Sequence, residues 1–260
     1  MSKQTGVVER IVREDGNPYL VKRVRLHPDS FRAFSKDLRD YYRLVSSVLS
    51  VPLLRGIRMN EKGFVEVEHQ AVDGKTIGEL MESSGRRRAI AVFRQMLEAV
   101  KPAILKRAQS DQRVLSVPID PHPGNFMVDK AGTVHYVDLF PPIMVKGGTI
   151  SFWETRRGRK IPTFAFRRVY AKGVLEQLLL NSVKTRPDLQ KEIYAEMQSF
   201  LGENGLHSEA EYLGAVVSSD EYQASLRKKG FDRRISDSGM VKRTLPFRRS
   251  QNNVFKGLAG

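Results

Sequence analysis

The stretch from Val117 to Pro142, VPIDPHPGNFMVDKAGTVHYVDLFPP, constrains this chain more than any other. It opens on Asp120-Pro121-His122-Pro123-Gly124-Asn125, a loop dense in turn formers. Phe126-Met127-Val128 and Thr133-Val134-His135-Tyr136-Val137 are β-prone runs on either side of Asp129-Lys130-Ala131-Gly132, which spells a hairpin. A hairpin returns the chain to its start, so Asp138 is expected beside Asn125. Two carboxylates, Asp120 and Asp138, and the Asn125 carboxamide then share one end of a small ribbon. Oxygen donors of this kind suit magnesium, which takes a few carboxylates and leaves the remaining positions to substrate phosphates. His122, in the same loop, reads as a brace for it and is assigned no chemistry.

Asp120 and Asn125 stand five positions apart, the interval of a kinase catalytic loop, and Asp138 follows where the metal-binding Asp of D-F-G stands. On D-P-H-P-G-N followed by V-D-L, the chain resembles the kinase-like phosphotransferase superfamily, which includes aminoglycoside and choline kinases and UbiB-like atypical kinases. It departs from the pattern at Pro118-Ile119, before Asp120, and at Leu139-Phe140, where Phe-Gly is usual. The resemblance implies an ATP- and Mg-dependent enzyme that moves the γ-phosphoryl group to an alcohol. Asp120 would be the catalytic residue, and Asn125 and Asp138 the metal ligands.

Upstream, Val7–Val12 and Tyr19–Val24 flank Glu14-Asp15-Gly16-Asn17-Pro18 and read as another hairpin. Tyr19-Leu20-Val21-Lys22-Arg23-Val24 resembles the V-A-I-K strand, which makes Lys22 the phosphate-anchoring lysine, with Arg23 as competitor on the other face. No G-x-G-x-x-G precedes it. From Pro28 a helix is expected, capped by Asp29 or Ser30, with Phe31, Phe34, Leu38, Tyr41, Val45 and Val48 on one face. The resemblance asks this helix for an acid to pair with Lys22. Asp37 lies about 60° from Phe34 and Asp40 about 120°, whereas spacing to Val51-Pro52 favours Asp40, so both stand as candidates.

Pro52–Arg58 and Phe64–Gln70, joined through Asn60-Glu61-Lys62-Gly63, form a further hairpin. Val72–Leu80 looks like the segment joining the two lobes of small-molecule kinases, with backbone groups of Gln70 and Val72 meeting the adenine. An amphipathic helix follows from Arg86 to about Gln109, with a kink or restart expected at Pro102. Thr163–Val183, Pro187–Leu201 and Ser208–Lys229 carry helical patterning.

The fold class expected is therefore α+β: a protein-kinase-like two-lobed fold with a reduced antiparallel N-terminal lobe (1–72), a mainly helical C-terminal lobe (73–229) and a basic tail (230–260). The 260 residues contain no cysteine, which excludes disulfide and thiol chemistry, and five histidines without metal-ligand spacing, which argues against zinc. No apolar run is long enough to span a bilayer and no leader is evident, so a cytoplasmic location is expected.

The net charge is +15, of which residues 221–260 contribute +7 from ten Lys or Arg and three acids. A small-molecule acceptor, itself anionic on this charge balance, is the expected substrate. The basic tail offers a second class of partner, nucleic acid. The flanked aromatics Phe152-Trp153, beside Lys146-Gly147-Gly148 and Arg156–Lys160, read as a basic surface loop. Two other readings accompany the kinase reading: a catalytically weak nucleotide-binding scaffold, and a nucleic-acid-binding protein using its basic surface.

Overall fold

The computed structural model describes residues 7–12, 18–107, 114–139, 143–146, 149–152 and 168–227. Both expected N-terminal hairpins form and merge into one sheet. Strands β1 (Val7–Val12) and β2 (Pro18–Arg25) pair antiparallel, as do β3 (Leu54–Met59) and β4 (Phe64–Gln70). β2 pairs with β4, so the order is β1-β2-β4-β3, antiparallel throughout. Asn60 builds the β3–β4 turn: its Oδ1 accepts from the N–H groups of Lys62 and Phe64 at 3.0 Å, and Gly63 takes φ 74°.

The 310 turn Pro28–Ser30 leads into helix α1 (Phe31–Ser46), whose N-cap is Ser30, without a side-chain capping bond. Phe34, Leu38, Tyr41 and Val45 are buried at the expected three- and four-residue steps; Val48 lies just past the helix end. They share one core with Val65 and Val67 of β4. Cross-strand register puts Lys22 opposite Val67 and Val24 opposite Val65, so Lys22 emerges on the face that carries the β4 valines. The opposite face is ionic. Glu66 accepts from Arg23 Nε and Arg58 Nε, each at 2.9 Å, which accounts for Arg23 as a structural partner.

After β4 the chain changes sheet. β5 (Gly74–Thr76) pairs with β6 (Phe126–Asp129), which pairs with β7 (Val134–Tyr136). The expected hairpin around Asp129–Gly132 is present, with Gly132 at φ 87°; its third strand was not anticipated from sequence. Helix α2 (Ile77–Ser83) follows behind a capping box in which Thr76 Oγ1 accepts from the Glu79 N–H and Glu79 accepts from the Thr76 N–H.

Helix α3 (Arg86–Leu105) runs through Pro102 without a restart. That residue is exposed and sits in the last turn, so its missing N–H removes one bond near an end that frays in any case, and its carbonyl still accepts from Lys106. Strands β8 (Ile143–Lys146) and β9 (Thr149–Phe152) form a two-stranded ribbon not read from sequence. Helices α4 (Ala171–Thr185), α5 (Gln190–Glu203), α6 (His207–Val217) and α7 (Asp220–Arg227) are the last of the described elements; the single segment expected over 208–229 is broken at Ser218-Ser219. The architecture is mixed α+β, with small antiparallel sheets and several helices. The Gly16 turn, Trp153, the basic run Arg156–Lys160 and the tail 230–260 lie outside the described residues. Among those described, no helix is long and apolar enough to cross a membrane.

Candidate functional site

The loop 118–125 is held from three directions. The Ile119 N–H donates to the Arg168 carbonyl at 3.2 Å and the Leu115 N–H to the Val169 carbonyl at 2.7 Å, so the chain entering α4 lies alongside the chain entering the loop. From below, the Asp120 N–H donates to Tyr136 Oη at 3.0 Å. From α1, Tyr41 Oη donates to the Pro118 carbonyl at 2.7 Å and also shares a hydrogen bond with Tyr136. Both tyrosines are buried, and burial pushes their hydroxyls above the ordinary phenol range, so they stay protonated donors.

Within the loop, His122 accepts from the Gly124 N–H through Nδ1 at 3.0 Å, the bracing role expected of it. Asn125 is tied to both sides. Its Nδ2 donates to the Asp120 carbonyl at 3.3 Å, and its own carbonyl accepts from the Val137 N–H at 2.8 Å. The hairpin therefore returns residue 137 to residue 125, and Asp138 follows immediately.

Four charges meet here. Lys22 Nζ lies 2.6 Å from Asp138 Oδ1, a pair that joins residues 116 apart in sequence. Arg168 donates to Asp120 Oδ2. All four side chains are between 18% and 23% exposed, at the edge of the core but open to a small ligand. Burial raises the Asp120 carboxyl above its ordinary range; Arg168 opposes that shift and the Asp138 charge adds to it. Burial lowers the imidazole of His69, which neighbours Lys22 and Asp138, so it is neutral at pH 7.

Asp120, Asn125 and Asp138 are thus gathered as the hairpin suggested, and Lys22 joins them from β2. The remaining candidates take these places. Lys22 pairs with Asp138, and Asp40, on α1, lies 3.4 Å from Arg43. Asp37 is the α1 acid on the buried side, 2% exposed. Gln70 is still inside the sheet, opposite Tyr19, and its N–H is engaged by the Leu53 carbonyl at 2.9 Å. The next N–H, of Ala71, donates to the Pro18 carbonyl, so of the two expected adenine contacts only Val72 lies past the ladder.

Arg168, Tyr41 and Tyr136 were missed. Tyr41 and Tyr136 read as core aromatics on their elements, and nothing in the sequence around Arg168 ties it to a residue 48 positions earlier.

Among the described residues, no three His, Asp, Glu or Cys side chains converge as a metal cluster. A magnesium site here would rest on the Asp138 carboxylate and the Asn125 carboxamide, with phosphate oxygens completing it, and that donor set fits a hard cation that prefers oxygen. No protein-family model and no curated protein matches this chain.

Proposed function

We propose that the chain is an ATP- and Mg-dependent phosphotransferase of kinase-like, two-lobed architecture, acting on a hydroxyl of a small anionic acceptor. The observation that carries this is the Lys22–Asp138 pair at 2.6 Å beside Asp120 and Asn125. It unites the strand lysine with the carboxylate after the hairpin, the two groups that the kinase-like pattern places on opposite sides of bound phosphates. Lys22 exchanges Asp138 for phosphate oxygens when nucleotide binds, and Asp138 with Asn125 then faces the metal. Magnesium supplies charge neutralisation at the phosphates.

Asp120 aligns the acceptor hydroxyl, the acceptor oxygen forms its bond to the γ-phosphorus as the bridging β–γ oxygen departs with ADP, and the hydroxyl proton goes to Asp120 late. Arg168 helps hold Asp120 ionised against the cost of burial, as does a hydrogen bond from the Asn125 side chain.

The same Arg168 contact favours a second reading, a nucleotide-binding scaffold with little turnover, because it engages one of the two carboxylate oxygens that Asp120 would offer an acceptor. Thermal melts with and without Mg·ATP separate these from a chain that binds no nucleotide. At about 100 times its dissociation constant the nucleotide stabilises the protein by roughly 2.7 kcal/mol. That rise is lost in Asp138→Ala and in the isosteric Asp138→Asn. Absence of any rise at millimolar Mg·ATP overturns both nucleotide readings; a rise without ADP formation across an acceptor panel leaves the scaffold.

A further inference from the structure

The exposed side of α1 carries a row of cations that the catalytic reading does not use. Arg32, Lys36, Arg39 and Arg43 recur at steps of four, three and four residues. At 100° per residue they fall within an arc of about 60°, and at 1.5 Å per residue the row is about 16 Å long. All four are exposed. Arg43 has Asp40 at 3.4 Å; among the described residues no acid pairs with Arg32, Lys36 or Arg39.

The row borders a shallow cleft of about 620 Å³ between α1 and β3, with Ile57 on the β3 side and the half-buried ring of Phe31 at one end. Aligned like charges repel one another along a helix face at a small cost to stability, which a bound polyanion relieves.

The geometry points to this cleft as a binding groove for the phosphate backbone of a single-stranded nucleic acid. Three of the four cations are arginine, whose planar fork engages phosphate oxygens in pairs. Their straight alignment beside a trough suits a linear polyanion, and the Phe31 ring at its end offers a base a stacking face. A lipid surface fits less well: α1 spends its apolar face on the core, so it has none to insert, and the trough is recessed between helix and sheet. An acidic peptide lacks the stacking partner for Phe31. This surface is distinct from the basic tail, and the inference does not rest on the phosphotransferase reading.

The test is fluorescence anisotropy of a labelled oligouridylate with the full chain, titrated at several salt concentrations. Two double variants remove equal charge at different places. Lys36→Glu with Arg39→Glu acts on the groove; Arg87→Glu with Arg88→Glu acts on exposed cations at the start of α3. The groove variant is expected to weaken binding by about tenfold or more, and to reduce the slope of log affinity against log salt by about 0.7 for each cation removed. The α3 variant is expected to change affinity less than about threefold, the residue of long-range attraction alone.

Equal losses in both variants overturn the inference, since charge without location then explains binding. It is likewise overturned by no binding in the wild type, or by tighter binding of oligoglutamate or of phosphatidylserine vesicles than of RNA at equal salt. If the groove reversal lowers the melting temperature, Lys36→Ala with Arg39→Ala replaces it.

Discussion

Glu66 shows how a carboxylate can be nearly buried in a sheet without weakening it. Arg23 and Arg58 reach it from the two neighbouring strands and Asn60 from the turn, and these hydrogen bonds hold its carboxyl at about 2, against an ordinary value of 4.5. A depressed folded-state pKa stabilises the fold above the unfolded pKa and ceases to do so as pH falls through the folded one. Glu66→Gln is therefore expected to cost about 1–2 kcal/mol at pH 7, at the lower part of the range for hydrogen bonds to charge because Arg58 is largely exposed. The gap between wild type and variant should close from pH 4.5 down to about 2, which urea melts at pH 7 and pH 3 would read directly. Asp120 is the opposite case: burial raises its carboxyl, so Asp120 is maintained at a cost to stability.

At the scale of elements, the hairpin around Asp129–Gly132 depends on a strand that its own sequence does not announce. β5 fits against β6 only because residue 74 is glycine: a Cβ there would lie 1.9 Å from the Val128 carbonyl oxygen. Gly78 in α2 makes a milder approach, with a Cβ at 3.7 Å from the Gly124 nitrogen, and so brings the helix against the Asp120–Asn125 loop. Gly74→Ala is expected to destabilise by about 1–3 kcal/mol, because backbone has to move to relieve the clash. Gly202→Ala, in the last turn of α5 with nothing within 4 Å, should cost less than about 0.5 kcal/mol. Chemical denaturation of the two variants side by side checks the contrast; equal costs would mean that β5 is not seated as described.

Across the whole molecule, one buried cluster runs from Leu26 and Val67 beside the first sheet, through Phe93 and Met96 of α3, to Phe200 and Leu213 of the late helices. Tyr41 and the Lys22–Asp138 pair reinforce it with polar links from the N-terminal elements to the Asp120–Asn125 loop and the hairpin that follows it. A core without a seam favours a single cooperative unfolding transition. Calorimetry is expected to give equal calorimetric and van't Hoff enthalpies, with far-UV and near-UV circular dichroism melting together. Two separated transitions would instead make the N-terminal sheet with α1 an independent unit.

What the sequence by itself determined is local. The hairpin around Asp129–Gly132, the helix from Phe31 and the β3–β4 turn at Asn60–Gly63 all follow from turn chemistry and apolar periodicity, which act over a few residues. The convergence of Asp120, Asn125 and Asp138 was legible for the same reason, since a hairpin of known length closes on itself. Tertiary structure alone brought Lys22 to Asp138, because the two stand 116 residues apart and no local repeat links them. It also brought Arg168 to Asp120, through pairing of 114–119 with 168–170, and seated β5 on β6. Contacts across tens of residues are set by the shape of the shared core, and no local pattern of residue types encodes that shape.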